Sequence, residues 1–120
     1  MSYLWDSYAA IELMSANPGY EKYSAEEIRI TIFNLVEIYW FLLHEYGEKF
    51  AGEKYAAYKK ATVELDDATI MEAIQFRKEH RKKALSYADC IGYTYAKRHG
   101  MKFLTGDRQF ERMPNVEYAK

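Results

Sequence analysis

Residues 86–110 read SYADCIGYTYAKRHGMKFLTGDRQF, and the fold is decided there. Ser86 with Asp89 three residues on makes a capping box that opens a helix. Ala88, Ile91, Gly92, Tyr95 and Ala96 then recur at helical spacing as one apolar or small face. Gly100 stops the helix. Met101–Leu104 is a short, mostly apolar run suited to a buried parallel strand. Thr105-Gly106-Asp107 follows directly. In open α/β sheets ligands sit at the carboxyl ends of strands, so Asp107 stands where chemistry is usually done.

Outward from this unit the alternation continues. Toward the N-terminus, Tyr3–Trp5 is a short aromatic strand ending at Asp6, and Ser7 leads into a short helix carrying Ala9, Ala10, Ile11, Leu13 and Met14. Asn17-Pro18-Gly19 is a turn. Ser24 with Glu27 reads as a second capping box and predicts a long helix from about Ala25 to Tyr46, with Ile28, Ile32, Leu35, Val36, Tyr39 and Leu43 inward and Gly47 ending it. A helix over Glu48–Lys60 follows, then a candidate strand over Thr62–Leu65. Asp66 or Asp67 caps the next helix, with Ile70, Ala73 and Ile74 inward. Beyond the opening stretch, Asn115–Tyr118 is a last short strand. Strands alternating with helices predict an α/β fold: a parallel sheet of four or five strands, covered on both faces, in a single domain over residues 1–120.

Composition narrows the function classes. A net charge of −1 removes any field-level attraction to nucleic acid, so such affinity needs a local patch. The lone Cys90 has no internal disulfide partner and lies on a predicted helix, where it packs. The longest apolar run, Ile38–Leu43, is far short of a membrane span. MSYLWDSYAAIELM has no basic n-region and an acid in its middle, unlike a secretory signal. The expectation is a cytoplasmic protein that does not engage a membrane. Asn and Gln are scarce while Lys, Glu and Tyr are common, a bias found in thermophiles.

Four acids fall where this fold would gather them. Asp6 ends the first strand, Asp107 ends the strand after the organising helix, and Asp89 lies in that helix's first turn. Glu37 sits mid-helix between Val36 and Ile38, where a charge needs a reason. Each alone has a plain use. Asp6, Asp89 and Asp107 can cap helices or turns, and Glu37 can lie on a solvated edge. Together they would repel and raise one another's pKa unless a cation neutralised them. Hard oxygen donors suit Mg²⁺ or Mn²⁺, not zinc. His44, His80 and His99 are spread without metal-ligand spacing.

The motifs Tyr3-Leu4-Trp5-Asp6-Ser7, Asn34-Leu35-Val36-Glu37, Leu85-Ser86-Tyr87-Ala88-Asp89 and Leu104-Thr105-Gly106-Asp107 followed by Phe110 resemble the PIN domain, most closely the small VapC-type toxins. The likeness runs over nearly the whole chain with the acids in family order. It implies a three-layer α/β/α sandwich and Mg²⁺- or Mn²⁺-dependent cleavage of RNA. It makes Asp6, Glu37, Asp89 and Asp107 the catalytic, metal-binding cluster, with Ser7 and Thr105 supporting it. Asp6 and Asp107 would be direct ligands, and Asp89 and Glu37 would act through water or help take a proton. It also implies a homodimer silenced by an antitoxin whose tail enters the acidic pocket. The chain departs from many relatives at Gln109, where they carry another acid. An amide there can ligate or orient water but adds no charge, which bears on a second metal.

Arg77, Lys78, His80, Arg81, Lys82 and Lys83 form the only dense basic run. Its plain use is to complement a helix dipole; its functional use is to contact an RNA backbone beside the acids. The competing reading of the whole chain is a PIN-fold RNA- or protein-binding module with weak or no turnover. A receiver-like phosphoacceptor lacks its acidic pair, since Ser7 and Tyr8 follow Asp6. An Asp-x-Asp phosphatase and an Asp-x-Ser-x-Ser adhesion site both fail at Tyr8.

Overall fold

The computed structural model describes residues 2–120; Met1, the first residue of the expected domain, lies outside the described residues. Three parallel strands run β1 (Tyr3–Trp5), β2 (Lys102–Thr105) and β3 (Val116–Tyr118), with β2 in the middle. Leu4 pairs with Phe103 and Trp5 with Leu104; Phe103 in turn pairs with Val116 and Thr105 with Tyr118. Alternate residues of each strand face opposite sides, which sorts the core into two halves. Trp5 and Leu104 pack on α1 (Ser7–Met14), α2 (Ile32–Tyr46), α3 (Glu48–Lys59) and a 3-10 turn over Pro18–Tyr23. Leu4 and Phe103 pack on α4 (Asp67–Glu79) and α5 (Tyr87–Arg98). The sandwich is therefore α/β/α.

The expected sheet of four or five strands is reduced at one edge. Trp5 N–H donates to the Arg29 carbonyl (2.8 Å), and Ile30 makes a single parallel bridge with Thr62. Both added positions are thus present as one-residue contacts, and Thr62–Leu65 is not a full strand. Thr62 is tied back to Lys59, its hydroxyl donating to that carbonyl at 2.7 Å, and Asp66 already caps α4.

The long helix also begins later than predicted. Ser24 and Glu27 form no capping box among the hydrogen bonds of the described residues; α2 opens on Thr31 and Asn34, each bonding the other's backbone N–H. Residues 28–31 are drawn out of the helix because Trp5 N–H bonds the Arg29 carbonyl, and Ile30 donates to the Ala61 carbonyl and accepts from Val63 N–H. The buried face turns accordingly to Leu35, Ile38 and Leu42, leaving Val36 exposed and Leu43 on the margin. On α4, Ala73 is buried as expected but Ile74 is exposed.

The organising helix α5 keeps its predicted bounds to within a residue and is buried on most of its length, Cys90 included. A Cβ on Gly92 would lie 2.9 Å from the Phe103 ring, so this helix approaches the sheet more closely than any larger residue allows. Gly106 is tighter still. A Cβ there would run into the Tyr8 ring, the Tyr20 hydroxyl at 2.7 Å and the Ala119 carbonyl at 2.8 Å. Gly106→Ala should therefore cost about 1–3 kcal/mol of stability in chemical denaturation; an unchanged midpoint would mean this corner yields easily.

Candidate active site

Asp6 leaves the end of β1 and caps α1, its Oδ1 accepting from Ala9 N–H at 2.7 Å. It is 2% exposed. Its Oδ2 accepts a hydrogen bond from the Thr105 hydroxyl. That same hydroxyl accepts from Asp107 N–H at 3.0 Å, so one side chain at the end of β2 joins two of the acids. Asp107 caps the 3-10 turn over Arg108–Phe110, with Oδ1 accepting from Gln109 N–H at 2.9 Å. Asp89 completes the capping box of α5, its Oδ2 accepting from Ser86 N–H at 3.1 Å. The plain capping uses hold, and Thr105 brings Asp6 and Asp107 together at the ends of β1 and β2. The caps point the helix starts, and hence the carboxylates, at one end of the sheet.

Glu37 reaches this end from the solvent side of α2. Its Oε1 accepts from the Ser7 hydroxyl, which accepts from Asn34 Nδ2 at 3.1 Å. Asn34 is fully buried, and its Oδ1 accepts from both Thr31 N–H (2.9 Å) and the Thr31 hydroxyl (2.8 Å). Sequence reasoning missed this residue as part of the site; the signal was its place in the pattern T-x-x-N, three residues before Glu37. A cavity of about 450 Å³ lined by Ser7, Val36, Glu37 and Trp40 opens alongside.

The acids feel one another. Burial, opposed by its two hydrogen bonds and reinforced by Asp89 and Asp107, pushes the Asp6 carboxyl up to about 7. Burial raises the Asp89 carboxyl, the Ser86 bonds oppose it, and Asp107 adds to the rise. Burial raises Glu37, the Ser7 bond opposes it, and Asp89 adds to the rise. Among the described residues no three His, Cys, Asp or Glu side chains already stand as a ready-made metal cage. Asp89 and Asp107 thus act on Asp6, and Asp89 on Glu37, without the four having closed on a common point.

The donor set fits a hard divalent cation. It offers carboxylate oxygens whose charge is uncompensated, with hydroxyls behind them, and no nitrogen or sulfur. The histidines are engaged elsewhere: His44 stacks on Trp40 at 5.3 Å, and His80 and His99 bond the carbonyls of Phe76 and Tyr95, each at 2.9 Å. Cys90 is buried, and burial lifts its thiol to about 11, so it is no ligand. Asp6 and Asp107, joined through Thr105, would hold the ion; Asp89 and Glu37 would flank it.

Of the basic run, Arg77 lies over the Tyr87 ring at 4.3 Å and Arg81 bonds the Lys78 carbonyl, while Lys83 reaches Gln109. The Gln109 side chain lies on the backbone of Ala84.

A parallel α/β/α sandwich with acids gathered at the carboxyl ends of its first two strands is the architecture defined so far. The chain matches the family model for the PIN domain over residues 3–116 and belongs to that family. No curated protein matches it. Several solved structures share the fold. VapC20 of Mycobacterium tuberculosis, a sarcin–ricin loop cleaving toxin, superposes with a TM-score of 0.82 at 16% identity, over 99% of this chain and 100% of that one. A chain of a toxin–antitoxin complex from Klebsiella pneumoniae gives 0.77 at 16% identity, over 97% and 96%. A chain of VapBC2 from Rickettsia felis, bound to a DNA fragment of its promoter, gives 0.68 at 14% identity, over 100% of both. No helix among the described residues is long and apolar enough to cross a membrane.

Proposed function

We propose that this chain is a Mg²⁺- or Mn²⁺-dependent endoribonuclease that hydrolyses RNA phosphodiesters, and that it is the toxin of a VapBC-type toxin–antitoxin pair acting in the cytoplasm. The observation that carries the reading is the joining of Asp6 and Asp107 through Thr105 at the ends of β1 and β2, with Asp89 near enough to raise both Asp6 and Glu37. Membership of the PIN family and the toxins among its structural neighbours support it. The antitoxin partner and a homodimer belong to the same proposal.

A bound divalent ion would supply the Lewis acidity that lowers the pKa of water and offsets charge on the displaced phosphate oxygen. Asp6 and Asp107 would hold the ion, with Thr105 fixing the Asp6 carboxylate through its hydroxyl. Asp89, held by the Ser86 cap, stands between Asp6 and Glu37 electrostatically, since it raises both. Glu37 has one oxygen on Ser7 and the other outside that bond, where it can accept a proton from attacking water.

RNA incubated with the purified chain and Mn²⁺ or Mg²⁺ should yield fragments, and EDTA should stop it. Cutting that survives EDTA excludes the reading; RNA binding without product favours the module without turnover. Thr105→Val removes the hydroxyl that orients Asp6 while keeping shape. It should lower the cleavage rate about 10- to 100-fold, as loss of such supporting bonds does in metal sites. A rate within two-fold of wild type would show that Thr105 merely packs.

A further inference from the structure

Five basic residues, Arg77, Lys78, Arg81, Lys82 and Lys83, were equal candidates for an RNA contact in the sequence, but their surroundings differ. Arg77 is drawn into local structure, with Nε donating to the Leu85 carbonyl at 3.0 Å and its guanidinium on the Tyr87 ring. Arg81 donates to the Lys78 carbonyl at 3.3 Å, closing the end of α4. Lys83 is the one that hydrogen-bonds the acid-bearing turn. Its Nζ donates to the Gln109 carbonyl at 2.9 Å. Gln109 N–H donates in turn to Asp107.

The side chain of Gln109 fastens the connection. Its Oε1 accepts from Ala84 N–H at 2.7 Å, and its Nε2 donates to the Ala84 carbonyl at 3.1 Å. Only a group that is donor and acceptor at once can pair with both. A carboxylate would satisfy the Ala84 N–H and then set negative charge against the Ala84 carbonyl.

We propose that Gln109 is a positioning residue that clamps the loop at Ala84 and so presents Lys83 as a phosphate contact on the rim of the acid cluster. The proposal rests on the ribonuclease reading for its substrate and deepens it. The chemistry is direct. A cluster of acids repels the backbone it must admit, and a fixed cation at its edge offsets that. Lys83 is held by a neutral carbonyl, so its charge is not cancelled. The ion pairs among the described residues are Arg29–Glu27 and Arg98–Glu72, both elsewhere. One of its three N–H groups is used, and two remain for phosphate oxygens. Glutamine at 109 is then required by the loop it holds, whether or not a second metal binds.

The test reads binding of a fluorescein-labelled single-stranded RNA as a function of salt, with Mg²⁺ present and in an Asp6→Asn background that should not cut. Lys83→Gln should weaken binding several-fold and make the log–log salt slope shallower by about 0.7, the value for one phosphate contact on a single strand. Gln109→Glu and Gln109→Ala should each reproduce most of that loss. Lys83→Gln with Gln109→Ala should be no worse than Lys83→Gln alone, because both remove one contact. In the cutting protein the same changes should fall on KM rather than kcat. Ala84 amide exchange, read by NMR, should accelerate in Gln109→Ala whatever the activity. Additive losses, an unchanged salt slope, or a higher kcat in Gln109→Glu would overturn the proposal. Salt-sensitive binding without cleavage would overturn the ribonuclease reading and leave the clamp standing. Cleavage with no effect of Lys83→Gln would do the reverse, and no RNA binding at all would remove both.

Discussion

Asp6→Asn should abolish RNA cleavage, a fall of about a thousand-fold or more in kcat/KM, while the protein stays folded. Asparagine keeps the cap of α1, since its carbonyl can accept from Ala9 N–H as Oδ1 does now. It keeps the size of the side chain and a polar group facing Thr105. What it removes is the charge at the most buried of the four acids. Asp107→Asn should behave alike, because that residue caps the next turn by the same kind of bond. Product formed by either variant at more than about a tenth of the wild-type rate would show that these carboxylates do not carry the reaction. The assay is the appearance of RNA fragments under saturating Mn²⁺.

The same substitution should make the metal-free protein harder to melt. The Asp6 carboxyl is raised from 3.8 to about 7, chiefly by burial. Between those values the folded chain binds a proton that the unfolded chain has released, so stability falls as pH rises through this window and levels off above it. Asp89 and Glu37 are raised as well and add the same sign. For Asp6 the full effect is about 4 kcal/mol above pH 7. Asparagine escapes it. A domain of this size shifts its midpoint by about 4 °C per kcal/mol. EDTA-treated Asp6→Asn should therefore melt several degrees above wild type at pH 8, with the gap closing toward pH 4. Divalent ion should stabilise the wild type and leave the variant nearly unmoved. A wild-type chain whose midpoint rises steadily from pH 4 to pH 8 without metal would contradict the charge crowding inferred for this site.

Much of this was legible in the sequence because it depends on neighbours in the chain. The Ser86–Asp89 box, the helix it opens and the strand after Gly100 all stand where local rules put them. So do the first strand and its terminal acid, since Tyr3–Trp5 pairs in register with residues 102–104. The start of α2 was not legible. Ser24/Glu27 and Thr31/Asn34 are both credible caps, and the choice between them is made by Trp5, Ala61 and Val63, distant in sequence, which take the backbone of residues 29 and 30. The fate of Val36 follows from that shift. Charge runs were equally opaque. Five cations within seven residues look alike until the fold gives Arg77 an aromatic ring, Arg81 a helix end and Lys83 the carbonyl of Gln109. The role of Asn34 was not legible because a buried amide acts through Ser7 on Glu37, a relay that passes between two helices.

Crystals grown with Mn²⁺ and measured at its absorption edge test the central claim most directly. An anomalous peak about 2 Å from carboxylate oxygens of Asp6 and Asp107, with Asp89 and Glu37 reaching it directly or through one water, is the result expected. Saturating Mn²⁺ that leaves no peak among these four side chains, or that is held by other residues, would contradict it.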